Sequence, residues 1–221
     1  MDSSLLIRAH AARAEIAAGA LRGTPLVGLL RAIPVVDRDA WVDVALGIEE
    51  PPPDEPDLPR GAVPYLPCGV DEILTMVLEV PLRARDDLVD LGSGLGRVSI
   101  LAHLLSGARA RGVEIQEPLV RRASALCARL RLADVTFMQA DAAETALDGT
   151  VFFFYAPFNG SMLARVLERV EEVARRRRIV VGAVGLEFRE VPWLVARKTS
   201  SVSLTLYDSC VAGEDAGTGH G

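Results

Sequence analysis

Three successive short apolar runs of this chain end in acids: Asp90 in Val89-Asp90-Leu91, Glu114 in Gly112-Val113-Glu114-Ile115, and Asp141 in Phe137-Met138-Gln139-Ala140-Asp141. The first run continues into Gly92-Ser93-Gly94-Leu95-Gly96-Arg97-Val98, a glycine loop between an apolar run and a helical pattern. A tight turn from strand to helix needs residues without a Cβ where the backbone bends and where a ligand comes close. The amide end of the helix behind it can hold a carboxylate or a phosphate. Spacing separates those two ligands. A dinucleotide fingerprint wants its third glycine at position 97, where this chain has Arg97 and the glycine falls one residue early. Asp90 would repel a pyrophosphate and favour a cation, which suits the ammonium group of an amino acid. Glu114 offers two oxygens to a pair of ribose hydroxyls, and Asp141 can accept from an exocyclic adenine amine. Each acid alone has another use, since acids at strand exits often cap the next helix. Together with the glycine loop they point to an adenosine-bearing ligand with a cationic amino acid part.

The elements that must position these groups follow from the period of the apolar pattern. Residues 88–91, 110–113, 135–138, 150–154 and 179–184 are short apolar runs with helical patterns expected between them, which predicts a parallel sheet covered on both faces. Residues 193–198 and 202–207, joined by Thr199, Ser200 and Ser201, predict an antiparallel hairpin at the sheet edge. The fold class is therefore α/β, doubly wound and mostly parallel, with a C-terminal antiparallel hairpin. Ahead of it, residues 70–82 carry Ile73, Leu74, Val77 and Leu78 at helical spacing, stopped by Pro81. Residues 3–48 predict two or three helices broken at Gly23 and Pro34, and residues 49–64 hold the densest group of prolines, mixed with acids. The expected division is a helical extension and proline-rich linker over residues 1–64, a main domain over 65–210, and a flexible tail over 211–221.

Composition narrows the function classes. The chain of 221 residues is 50% hydrophobic, with no apolar run long enough to span a membrane and no signal-like start, so the expectation is a cytoplasmic protein with no membrane partner. A formal net charge of −6 disfavours a nucleic-acid partner. The one basic cluster, residues 175–178, is expected to be a solvated helix end. Cys68, Cys127 and Cys210 have no paired metal-ligand spacing, so no metal is expected. His10, His103 and His220 are expected to be structural or solvated, not general bases.

The stretch Asp90-Leu91-Gly92-Ser93-Gly94-Leu95-Gly96, with Glu114 and Asp141, resembles the successive cofactor motifs of class I S-adenosylmethionine-dependent methyltransferases over roughly residues 65 to 210. Within that superfamily, residues 89–98 followed by Gly112-Val113-Glu114 are similar to the lysine methyltransferases of the telomeric-silencing-disruptor type. The resemblance implies S-adenosylmethionine as cofactor and a seven-stranded sheet with a reversed last strand. It implies that Asp90 and the loop Gly92, Ser93, Gly94 and Gly96 hold the methionine part, Glu114 with Ile115 the ribose side, and Asp141 with Ala142 the adenine. Tyr65, with Pro67, would close over the cofactor as the segment in that place does in the same branch.

The acceptor should face the segment after the fourth strand, Tyr155-Ala156-Pro157-Phe158-Asn159-Gly160. This loosely resembles the Asn/Asp-Pro-Pro-Tyr/Phe loop of amino-group methyltransferases, with Tyr155 where Asn or Asp stands there. Tyr155 and Asn159 are the candidate catalytic residues, and Phe158 joins them as a substrate contact. The structural alternative is that the aromatics are core and Asn159-Gly160 is a turn. The acceptor is then a small molecule or a protein side chain, methylated on nitrogen or oxygen, and the helices before Pro51 would form the lid and acceptor wall. Two other readings stand beside this one: an NAD-dependent oxidoreductase, which would need the third glycine moved by one, and a non-catalytic module that binds S-adenosylmethionine.

Overall fold

A computed structural model describes residues 1–210; the expected tail over 211–221, with His220, lies outside the described residues. Three helices come first, α1 (Ser3–Ala17), α2 (Gly23–Arg31) and α3 (Val35–Leu46), followed by the proline-rich stretch and α4 (Val70–Glu79). Alternation then begins with β1 (Asp87–Leu91), α5 (Arg97–Ser106), β2 (Arg109–Glu114), α6 (Glu117–Leu130) and β3 (Val135–Gln139). It continues with β4 (Val151–Tyr155), α7 (Gly160–Ala174), β5 (Val180–Val184), β6 (Leu194–Arg197) and β7 (Leu204–Ser209).

The strands form one seven-stranded sheet in the order β3-β2-β1-β4-β5-β7-β6. The first five are mutually parallel, while β7 runs antiparallel to both β5 and β6. The doubly wound sheet with its edge hairpin thus matches the expectation. One connection does not: residues 140–150 between β3 and β4 form turns where a helix was expected, and residues 185–193 between β5 and β6 likewise hold no helix. In the first, the Asp141 carboxylate accepts from the Ala143 amide at 2.8 Å and its carbonyl from Glu144 and Thr145, so a local turn satisfies the backbone before a helix can start.

Side chains of β4 alternate between the two faces of the sheet. Val151 and Phe153 enter the core beneath α4 and α5, whereas Phe152 and Phe154 enter the core beneath α7. All three phenylalanines are fully buried, each stabilising the fold by about 1.5–3 kcal/mol through apolar burial. The N-terminal helices share the first of these cores: Leu5, Ile16, Leu26, Leu30 and Trp41 lie in one cluster with Ile73, Leu101 and Leu104. They pack on α4, α5 and α6.

An ion pair between a buried arginine and a half-buried aspartate fixes that junction. The Arg97 guanidinium donates to Asp43 Oδ1 on α3 at 2.6 Å and to the Cys68 carbonyl at 2.8 Å. Burial lifts the Asp43 carboxyl above its usual range, and Arg97 offsets only part of that. His103 is likewise structural, its Nδ1 bonded to the Ala108 carbonyl and its Nε2 3.1 Å from Arg22. Residues 175–178 are exposed, with Arg175 paired to Glu171 and Arg177 to Asp148. Among the described residues no helix is long and apolar enough to cross a membrane.

Candidate active site

The strand order reverses at β1, which pairs with β2 on one side and β4 on the other. Connections leave that point in opposite directions, so a crevice opens beyond the carboxyl ends of β1 and β4, where open α/β sheets bind ligands. A cavity of about 90 Å³ lies there. One wall consists of Gly92, Val113, Glu114, Ile115, Gln116, Ala140 and Ala142. The opposite wall consists of Tyr155, Ala156, Pro157, Phe158 and Met162, and the roof is Leu58 and residues 62–66.

The glycine loop is held from β2. The Gly92 and Ser93 amides donate to the Val113 carbonyl at 2.8 and 3.2 Å, and the Gly94 amide donates to Glu114 Oε2 at 2.9 Å. Gly92 and Gly94 take φ of +76° and +53°, which residues with a Cβ rarely adopt, and a Cβ on either would collide with Pro157 or Tyr65 respectively. Ser93 Oγ is buried with no hydrogen-bond partner among the described residues.

Glu114 is buried and accepts three backbone bonds: Gly94 on Oε2, and Ile115 and Gln116 on Oε1 at 2.8 and 3.0 Å. Desolvation raises its carboxyl pKa despite these amides, with Asp54 adding repulsion. A carboxylate has about four lone-pair sites, so Glu114 keeps room for one further donor instead of the two ribose hydroxyls expected from sequence.

Asp90 is 2% exposed, accepts from Ser99 Oγ at 2.9 Å and does not line the cavity. Burial pushes its carboxyl up to about 7. It braces the first turns of α5 from behind the loop.

The structure therefore brings Tyr65, Gly92, Glu114, Ile115, Ala142, Tyr155 and Phe158 onto one cavity. Ser93, Gly94 and Gly96 belong to the loop but do not line it, Tyr65 lying on Gly94 and Phe137 on Gly96. Asp141 is turned to the Ala143 amide and lies 3.7 Å from Arg165, leaving Ala140 and Ala142 on the wall. Asn159 is exposed at the start of α7, its amide donating to the Gly61 carbonyl. Its side chain caps nothing and does not reach the cavity lining. Ala156, between Tyr155 and Pro157, is a non-glycine residue at φ +42°, a strain that concentrates at functional loops. Burial raises the Tyr155 hydroxyl pKa, helped by Cys68, Glu72 and Asp39, so it stays protonated at neutral pH.

Sequence reasoning missed Asp54, Leu58, Ala62, Gln116 and Met162. Gln116 alone carried a signal, standing two residues after Glu114 on the same strand exit. The roof residues sit in the proline-rich stretch, whose composition speaks only for a spacer. The helices before Pro51 do not supply the expected lid and acceptor wall: no residue of α1, α2 or α3 lines the cavity, whose roof is Leu58 and residues 62–66.

Neither family models nor curated protein sequences match the chain. Solved structures do. An RNA methyltransferase from Salinibacter ruber in complex with S-adenosyl-L-homocysteine is 25% identical, with a TM-score of 0.54, covering 67% of this chain and 95% of that one. A provisionally assigned RNA methyltransferase from Pyrococcus horikoshii is 15% identical, with a TM-score of 0.55, covering 80% of this chain and 98% of that one. A provisionally assigned methyltransferase from Escherichia coli is 16% identical, with a TM-score of 0.53, covering 69% and 90%. The fold is the Rossmann-like methyltransferase fold.

Proposed function

We propose that this chain transfers the methyl group of S-adenosylmethionine to an uncharged nitrogen or oxygen of a small molecule with an apolar body. The observation that carries the reading is the arrangement of the crevice: Gly92 and Glu114 on one wall face Tyr155 and Phe158 on the other, at the point where the strand order reverses. The Salinibacter structure with S-adenosyl-L-homocysteine in the same fold supports it. The residues present fit such a cofactor chemically. Glu114 has an acceptor site left for a ribose hydroxyl, Ile115 and Ala142 give apolar surface for a base, and the unpartnered Ser93 hydroxyl lies in the loop. Asp90 would act through the loop's potential and Asp141 through the wall it turns, not by direct contact.

S-adenosylmethionine, when bound, supplies a methyl group made electrophilic by its positively charged sulfur. The protein then has to align an acceptor with it and keep water out. The Tyr155 hydroxyl oxygen can accept a hydrogen bond from the acceptor's N–H or O–H, which leaves the acceptor's lone pair free to take the methyl group as the sulfur–methyl bond breaks, the displaced proton passing to solvent; Pro157, Phe158 and Met162 shield the space around it. Glu114 is the one charged residue on the lining and is engaged by three amides, which favours an uncharged acceptor. The net charge of −6 and the ion-paired Arg175 and Arg177 speak against a nucleic-acid acceptor. The narrower likeness to the telomeric-silencing-disruptor type has less behind it, because Asn159, its one matching polar residue, stands outside the crevice.

Incubation with methyl-labelled S-adenosylmethionine and separate pools of small molecules, RNA and protein tests the reading. Label is expected in the small-molecule pool. Label only in RNA or protein would overturn the acceptor class, and label in none would overturn transfer itself.

A further inference from the structure

The proline-rich stretch is tied down at both sides of the crevice. On the cofactor side, Asp54 Oδ1 accepts from Gln116 Nε2 at 2.8 Å and from the Tyr65 amide at 3.0 Å, and the Glu55 amide donates to Gln116 Oε1 at 2.9 Å. Gln116 is 3% exposed and stands two residues after Glu114, at the N-terminal cap of α6, so this clasp closes over the expected ribose position. On the acceptor side, the Val63 amide donates to the Pro157 carbonyl at 3.1 Å, and Ala62 makes an antiparallel bridge with Phe158. Between the two anchors, the Tyr65 ring lies against Gly94, on the face of the loop that a methionine part would need.

The remaining space is small. Ligand sites for drug-sized molecules measure about 300–1,000 Å³, whereas this cavity is about 90 Å³. No side chain of the loop could yield the missing volume, and β1, β2 and β4 are locked in the sheet. The roof, by contrast, is held to the crevice by a few hydrogen bonds and one β-bridge.

We propose that residues 54–65 form an inhibitory strap: clasped by Asp54 and Gln116, with Tyr65 seated on Gly94, it keeps the nucleoside space shut until it lifts. This rests on the cofactor reading above. A closed fraction lowers apparent affinity in proportion to the open population, so weakening the clasp tightens binding. A lid that merely retains a bound ligand would do the opposite. The strap is also joined to the acceptor loop through Phe158, so lifting it opens the cofactor and acceptor sides together.

The experiment uses the full chain and Asp54→Ala, an exposed position whose side-chain hydrogen bonds all lie in the clasp. Without ligand, trypsin cleavage after the exposed Arg60 is expected to run about tenfold faster in the variant, at an unchanged melting temperature; equal rates would overturn the strap. Calorimetry with S-adenosylhomocysteine is expected to show binding about three- to tenfold tighter in the variant. Heat from the wild type with unchanged or weaker binding in Asp54→Ala overturns the strap alone. Heat from neither chain overturns the strap's inhibitory role and the cofactor reading together. Tyr65→Ala, which clears Gly94 without touching the clasp's side chains, is expected to tighten binding in the same direction, and weaker binding there also contradicts the proposal.

Discussion

Asp90 and Glu114 close neighbouring strands, yet their surroundings differ. Glu114 is met by three amides and faces the crevice, while Asp90 is met only by the hydroxyl and amide of Ser99 and is otherwise cut off from solvent. Because burial pushes the Asp90 carboxyl from 3.8 up to about 7, the folded state holds its proton where the unfolded chain has released it. Its contribution to stability is present below about pH 4 and lost as pH rises to about 7, an amount on the order of 4 kcal/mol. Asp90→Asn should therefore flatten the fall in stability between those limits, read from urea unfolding at a series of pH values. A variant whose slope matches the wild type would contradict this account. At this scale the types of residue were legible in the sequence and their directions were not. The run Asp90 to Gly96 announced a ligand loop, but only the fold shows that Asp90 looks into α5 and that Asp141 caps its own turn. An acid at a strand exit reads the same whether it faces a ligand or an amide.

Elements of local period were the readable ones. β1, β2, β4, β5 and the edge hairpin follow from apolar runs of strand length, and α4 from its four spaced apolar residues. Residues 140–150 escaped because hydrogen bonds of the Asp141 side chain and carbonyl outweigh helix propensity there. The strap escaped for a different reason: its anchors are contacts between Asp54 and Gln116 and between Ala62 and Phe158, far apart in the chain. The junction of α3 with α5 was equally hidden, since Asp43 and Arg97 carry no pattern that pairs them. Asp43→Ala would leave the Arg97 guanidinium buried without its counter-charge. Asp43 is partly exposed, so a loss of about 2 kcal/mol is expected, below that of a fully buried pair. A loss under about 0.5 kcal/mol in thermal or urea unfolding would place the pair with ordinary surface bridges instead.

Over the whole molecule, α1 to α3 belong to the same apolar core as α4, α5 and the covered face of the sheet. Removing residues 1–48 would uncover that face, so the shortened chain should lack a single cooperative melting transition; melting within a few degrees of the full chain would contradict a shared core. This unity was beyond the sequence, where the proline-rich stretch marked the clearest boundary. The fold class itself was legible because a doubly wound sheet is written in alternating periods, while the acceptor remained illegible because its walls come from β4, α7 and the strap at once. The central claim is that Glu114 and the glycine loop form a nucleoside site at the switch point. Its most direct test is isothermal titration of the full chain and of Glu114→Gln with S-adenosylhomocysteine, with NAD as the comparison. The account predicts saturable heat with S-adenosylhomocysteine, none with NAD, and binding at least about tenfold weaker in the variant through loss of a charged acceptor. Heat with NAD alone, or equal affinity in Glu114→Gln, would contradict it.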